Sequence, residues 1–388
     1  MVADMPSGAE RSTLYKGEAG YVRVEKVVRG AKSGALLHYS NPDPKKLHAV
    51  DSTGMAELEA AVAALEANKE ELTFCVFYGD YDPVHAGADI TEFSGDCDFD
   101  AIDRHLKRGT ELDIRVKHLW PYMNTVAILC GDRYGGSVEW PLFAERAVCD
   151  QQTRLQFSEV HLGIVPGWNG VLNVFLKSNA ANAAYMGLTG NPVGAHELRK
   201  ANLVQAVINT PEPPNRREIP PEAWPGMWAA HAGQCQHMLI NAALELAVRE
   251  EDHINGSEFE LAAAEELEEQ LKARMDTSVY AALRDEVKQK LAGLGETPAK
   301  EDLKALTKEI NKRLAGLGKP LAPAAVAGLK GLFAKWRAIT FEQLVGSFPE
   351  EAHAEEKLCS DLMHTEHRRR GISAVLSRNP VDRVPVFD

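Results

Sequence analysis

"GGSVEWPLFAERAVCDQQTRLQFSEVHLGIVPGWNG", residues 135–170, holds two glutamates in unlike settings. Glu139 follows a Gly-Gly-Ser turn and precedes Trp140-Pro141, which suit a helix start there or a turn earlier. Glu159 sits in a mostly apolar, strand-like run that ends at Pro166-Gly167. Two explanations compete. Each carboxylate is an ordinary element end facing water, or the two converge on one pocket and handle protons together.

The flanking sequence alternates strands with helices. Upstream, "YVRVEKVV" (21–28), "GALLHYS" (34–40), "LTFCVFYG" (72–79) and "NTVAILCG" (124–131) read as strands, the last two with the unbroken apolar character of strands buried on both faces. Helical periodicity marks 55–71 and 100–119. Downstream, "ERAVCD" (145–150), "TRLQFSE" (153–159) and "LVQAVI" (203–208) are strands, with helices over 170–187 and 194–200. This order is that of an α/β fold.

A second composition begins at "NTPEPPNRREIPPEAWPG" (209–226), too rich in proline for regular structure. From about 236 to 316 the chain is helical and dense in Ala, Glu, Leu and Lys. "LAGLG" occurs at 291–295 and 314–318, each a glycine stop after a helical run. Leu261, Leu267, Leu271 and Met275 form an apolar stripe expected to be a packing face. The last stretch reads as one or two helices and an extended tail. Its Arg368-Arg369-Arg370 is expected to be a solvated helix end.

Composition narrows the function. The chain has 388 residues, 45% hydrophobic and 26% charged, enough for a substantial core. A formal charge of −13 argues against a nucleic-acid partner. Six scattered cysteines without a Cys-x-x-Cys pair suit reduced thiols rather than a disulfide or zinc framework. No apolar run reaches the length of a membrane span, and the N-terminus lacks the apolar core of a signal peptide. The expectation is a cytoplasmic protein with no membrane and no nucleic-acid partner. The thirteen histidines show no close-spaced ligand set, so no metal is expected.

Three stretches carry chemistry. "GALLHYSNPDPKKLHAVD" is a strand, loop and helix start, "FCVFYGDYDPVHAGADITEF" contains "HAGADI", and 135–170 adds G-G-x-x-E and F-x-x-E-x-x-L-G-x-x-P-G. Gly87 permits a tight turn that leaves the Ala88 amide free to point into a cleft. The amides opening the element after Gly135-Gly136 attract negative charge. If Ala88 and Gly136 face one another, their amides form a two-donor oxyanion hole. Each such donor contributes about 3–4 kcal/mol to an enolate-like transition state.

Together with the "NPVDRVPVF" ending, these stretches resemble the crotonase (enoyl-CoA hydratase/isomerase) superfamily over roughly 21–210 and 320–388. The resemblance implies a ββα spiral core with C-terminal helices and a helical insertion. It divides the chain into an N-terminal extension (1–20), the core (21–210), a Pro-rich linker and helical insertion (211–318), and C-terminal helices (319–388) for oligomerisation and active-site cover. It implies Ala88 and Gly136 as oxyanion donors and Glu139 and Glu159 as the catalytic pair, Glu139 on water and Glu159 on the α-proton. Lys46, Leu47, Ala86, Asp89, Ile90, Gly135, Trp140 and Trp168 are then the candidates for contact with CoA and the acyl group. No cofactor is implied beyond the coenzyme A of an acyl-CoA thioester substrate, and the assembly implied is a homotrimer or homohexamer.

Several positions depart from the family pattern. Ser137 replaces a third glycine, Trp140 and Pro141 follow the first glutamate, Trp168 and Asn169 enter the "PGWNG" turn, and "DRY" (132–134) is unusually polar. The two tryptophans either shape a pocket for a cyclic or branched acyl group or pack the core. Within the resemblance, hydration competes with thioester hydrolysis, ring opening or double-bond isomerisation, and with a non-catalytic CoA-binding role. Retention of both glutamates favours hydration.

Overall fold

A computed structural model describes residues 12–94, 98–249, 255–295, 297–377 and 379–387. Eleven strands are formed among these: β1 (Ser12–Lys16), β2 (Val22–Arg29), β3 (Lys32–Tyr39), β4 (Phe74–Gly79), β5 (Val84–His85), β6 (Asn124–Leu129), β7 (Asp132–Tyr134), β8 (Arg146–Asp150), β9 (Arg154–Gln156), β10 (Val193–Gly194) and β11 (Ala206–Ile208). The larger sheet has the order β1-β2-β3-β4-β6-β8-β11, antiparallel from β1 to β3 and parallel beyond. The smaller has the order β10-β9-β7-β5, with only β10 antiparallel. Each of β4, β6 and β8 in the large sheet is followed directly by a strand of the small one and then by helix. Three turns of a ββα spiral result.

The period-two side-chain rule assigns the large sheet's faces. Ala35, Leu37, Cys75, Phe77, Ala127, Leu129, Ala147 and Cys149 join the main core with helices Ser52–Ala67 and Phe99–Leu119. Leu36, Phe74, Val76, Val126, Ile128 and Val148 face the other way. Cys235, Leu239, Ile240, Ala243 and Leu244 of helix Trp224–Ala247 cover them. That helix begins twelve residues before the 236 expected from composition, because Pro225 in its first turn sacrifices no hydrogen bond.

The segment beyond it is less helical than its composition suggests. Residues 255–263 are irregular rather than helical, and Leu261 therefore lies outside the stripe expected of it. Their backbone groups bond to the core instead: Gly256 N donates to Lys177 O, Asn179 Nδ2 to Ser257 O, Asn182 Nδ2 to Phe259 O, and Leu261 N to Asn182 Oδ1. Leu267 and Leu271 of helix Ala264–Met275 are buried in the main core. Helices Thr277–Gly293 and Lys300–Leu317 run antiparallel, as the pairs Lys290–Glu309 and Glu286–Arg313 require. Gly295 and Gly318, the glycines of the two "LAGLG" copies, lie at φ 87° and 78° just past these helices. Helices Phe348–Met363 and Glu366–Leu376 and the tail through Phe387 close the chain. Arg368 is a correction to the sequence reading. It is buried, donating to Met363 O and Phe93 O, rather than solvated.

Candidate active site

The small sheet sets the geometry. β5 and β7 pair in parallel through Val84–Asp132 and His85–Arg133, so 86–88 and 134–136 leave the sheet side by side. A methyl on Gly87 would stand 2.5 Å from Gly136 N and 2.6 Å from Tyr134 O, closer than a Cβ can come. Ser137 ties the segments together, its Oγ lying 2.8 Å from His85 O and 3.0 Å from Tyr134 O and accepting from Tyr134 N at 2.9 Å. Here the serine that departs from the family glycine is a tie between the two loops.

Beyond Gly87 the loop bonds to residues 47–50. Ala86 N donates to Leu47 O at 2.8 Å, Val50 N to Gly87 O at 2.9 Å, and Asp89 N to Val50 O at 3.2 Å. In this parallel bridge the Ala88 N–H turns away from Val50. Neither Ala88 N nor Gly136 N has an acceptor among the described residues.

Both glutamates come to these loops. The helical turn Gly136–Glu139 begins directly after Gly135, so Glu139 is one turn from the Gly136 amide. Glu139 is 3% exposed, and its Oε1 accepts from Trp168 N at 2.7 Å and Gly170 N at 3.1 Å. Glu159 lies in a 3₁₀ turn, Ser158–Leu162, not in a strand as its sequence suggested; Gly163 at φ 82° ends the turn. Gly135, at φ 54° and ψ −128°, adopts a conformation closed to other residues, and a methyl there would meet Glu159 Oε1 at 2.8 Å. Glu159 is 7% exposed and its Oε2 has no partner.

These settings raise both proton affinities. Burial raises the Glu139 pKa to about 7, opposed by the Trp168 and Gly170 amides and reinforced by Asp113. Burial, and then the charge of Glu139, push Glu159 well above the usual carboxylate range. Both carboxyls therefore hold a proton more readily than a solvated carboxylate does, and each feels the charge of the other. Such a pair can supply an acid and a base.

Sequence reasoning missed the groups around this pair. Glu355, fully buried, accepts from Val171 N at 3.0 Å and Leu172 N at 2.9 Å, anchoring the start of helix Gly170–Lys177. Buried Asp113 accepts from Asn169 Nδ2 at 3.1 Å and Asn173 Nδ2 at 3.0 Å and pairs with Lys117. Nothing in "HAEEKL" or "TELDIRVK" distinguishes these acids from a solvated helix face.

The other candidates divide. Lys46 and Asp89 pair with each other, which raises the lysine's pKa. Leu47 is half-exposed at φ 50°. Ala88 and Ile90 pack partly buried on the core. Trp140 packs on Tyr39 and Phe77. Trp168 lies over Gly136, where a methyl would stand 2.5 Å from its Cζ3. Of the two tryptophans, Trp168 is the one against Gly136. Among the described residues, no group of three or more His, Cys, Asp or Glu is arranged to hold a metal ion, and no helix is long and apolar enough to cross a membrane.

Comparisons with known proteins agree with this fold. Residues 35–214 match the family model described as enoyl-CoA hydratase/isomerase. A "probable enoyl-CoA hydratase" of Rhizobium meliloti (strain 1021) is 27% identical over 165 residues, 42% of this chain; the chain spans 62% of that relative's length. An enoyl-CoA hydratase structure from Rhodobacter sphaeroides 2.4.1 superposes with a TM-score of 0.54 at 17% identity, covering 92% of this chain and 91% of that one. A carnitinyl-CoA dehydratase structure from Mycobacterium thermoresistibile gives 0.53 at 15% identity, covering 92% and 90%. Residues 35–214 are thus similar to the enoyl-CoA hydratase/isomerase family, and the chain shares the fold of these two solved structures.

Proposed function

We propose that this protein is a member of the crotonase superfamily and an enoyl-CoA hydratase-like lyase, adding water across the double bond of an α,β-enoyl thioester or eliminating it. The observation that carries this is the pair of buried, electrostatically linked carboxylates, Glu139 and Glu159, beside two unpaired amides that Gly87 allows to meet. The thioester oxygen accepts from Ala88 N and Gly136 N. Ionised Glu139 takes a proton from water as the water oxygen bonds to the β-carbon. Negative charge moves to the thioester oxygen, where the amides stabilise it. Protonated Glu159 then delivers its proton to the α-carbon. The net change is H at the α-carbon and OH at the β-carbon, and proton redistribution between the carboxyls restores the starting state. Hydrolysis, ring opening or isomerisation would use the same amides, but the presence of two buried, linked carboxyls, one for water and one for the α-carbon, favours hydration.

CoA contact is assigned to Lys46, Leu47, Ala86, Asp89 and Ile90, with no further cofactor. Lys46 would reach a phosphate by exchanging its Asp89 partner. Trp168 against Gly136 supports a cyclic or branched acyl group over an extended chain. Exposed Phe341, Val345, Val375 and Leu376 support a closed homotrimer or homohexamer built on the C-terminal helices. Among the described residues, the five free, buried thiols suit a reducing cytoplasm. Incubation with a panel of straight, branched and cyclic enoyl-CoA thioesters, following absorbance of the conjugated bond, tests the activity. Loss of that band is expected for at least one compact acyl group, and its persistence throughout the panel removes the hydratase assignment.

A further inference from the structure

The mechanism leaves a group of buried polar atoms unused. The Trp168 indole is held between two glycines: a methyl on Gly136 would stand 2.5 Å from its Cζ3, and one on Gly109 would stand 2.3 Å from its Nε1. Trp168 is 2% exposed, yet Nε1 has no hydrogen-bond partner. His105 lies one helical turn before Gly109 on helix Phe99–Leu119, its ring centroid 5.2 Å from that of Trp168. It is 3% exposed, and neither Nδ1 nor Nε2 has a partner. Buried polar groups in folded proteins are nearly always paired, so two adjoining side chains with three unpaired nitrogens require a reason. Phe93, the other ring against His105, offers no side-chain acceptor.

Chemistry selects the ligand. Indole Nε1–H only donates, whereas a neutral imidazole donates at one nitrogen and accepts at the other. Burial, with help from Arg108, lowers the His105 pKa to about 4, so the neutral form is present at neutral pH. A hydroxyl satisfies both rings at once, accepting from Trp168 and donating to the bare nitrogen of His105. The far edge of the same indole touches Gly136, a proposed thioester-binding residue, so the hydroxyl belongs to the acyl chain.

We propose that Trp168 and His105 form a subsite for a hydroxyl group on the acyl chain, making the protein selective for hydroxylated acyl thioesters over plain alkyl ones. This rests on the thioester assignment above and would add the substrate class. Glu139 and Glu159 serve the α- and β-carbons, so the recognised hydroxyl lies at the γ-carbon or beyond.

The test is equilibrium binding of saturated thioesters, which undergo no hydration. Dissociation constants of 4-hydroxybutyryl-CoA and 5-hydroxypentanoyl-CoA are compared with those of butyryl-CoA and pentanoyl-CoA. The wild type is expected to bind at least one hydroxylated member about tenfold or more tighter than its alkyl partner. In Trp168→Phe and His105→Leu, each removing one hydrogen-bonding ring, that ratio is expected to fall towards one. A wild-type ratio of one or below for both pairs overturns the subsite without requiring any variant. A ratio unchanged in both variants overturns the assignment to these residues. Failure of the wild type to bind any of the four thioesters overturns the subsite, and failure to bind any member of the straight, branched and cyclic enoyl-CoA panel as well overturns the thioester reading with it.

Discussion

Glu159 and Glu286 are the same residue type in two regions built on opposite principles. Glu159 stands in a glycine-lined site where close backbone approach leaves a carboxyl buried and one oxygen unpaired. Burial pushes its proton affinity up. Glu286 stands on the antiparallel helical pair, exposed between Lys290 and Arg313, whose hydrogen bonds lower its pKa. The site keeps poorly satisfied charge in a dry place, where it can act on a substrate. The helical pair keeps well-satisfied charge in water, where it holds a surface in register. On the proposed function, stability and reactivity are thus allotted to different parts of one chain.

The largest effects are expected where carboxylates are buried. Glu139→Gln and Glu159→Gln should each reduce turnover on the true substrate by about two orders of magnitude or more, with the fold retained on circular dichroism. Near-normal turnover in both would place the two glutamates in the same class as Glu286. Next is Gly87→Ala, whose methyl would have to occupy space 2.5 Å from Gly136 N. Separation of the amides should lower kcat about 10²-fold, the typical effect of one oxyanion donor. An unchanged kcat would show that the amides need not meet.

The third effect is on stability, and its sign is opposite to the usual carboxylate case. The folded pKa of Glu139 is raised to about 7, so the folded protein binds more protons than the unfolded chain between about pH 4.5 and 7. Stability from this group therefore falls as pH rises through that window, by up to about 3 kcal/mol. Glu139→Gln should flatten the dependence and be more stable relative to wild type at pH 8 than at pH 5, measured by urea unfolding. A difference that does not change with pH would contradict the burial account.

The smallest effects are expected on the helical pair. Glu286→Gln should leave the urea midpoint nearly unchanged, since exposed ion pairs contribute little. Replacing about residues 250–316 with a Gly/Ser linker keeps helix Trp224–Ala247 over the sheet but removes Leu267 and Leu271 from the core and Tyr280 and Ile310 from Val381 and Val384. It should cost stability or assembly and preserve acyl preference. A broadened preference with the oligomer intact would assign the segment to substrate selection.

Much of this contrast was legible in the sequence, unevenly. Buried parallel strands announced themselves as unbroken apolar runs, and the loops through Gly87 and Gly135 as glycine patterns, because local backbone requirements leave local traces. Glu139 and Glu159 were legible only beside those patterns. Glu355, Asp113 and His105 were not, since each is buried by elements far away in the chain and its neighbours resemble a solvated helix. Arg368 shows the same limit, reading as part of a charged run while lying buried against Phe93 and Met363. The helix expected through 255–263 failed because Asn179 and Asn182 supply hydrogen bonds to that backbone.

The division of labour between the carboxyls is tested most directly by exchange of the α-protons of a saturated acyl-CoA in heavy water, followed by NMR. Exchange requires the oxyanion amides and the group that serves the α-carbon, and no water addition. Deuterium is expected to enter with the wild type and with Glu139→Gln, and to be lost with Glu159→Gln. Exchange that survives Glu159→Gln and disappears in Glu139→Gln would contradict the assignment.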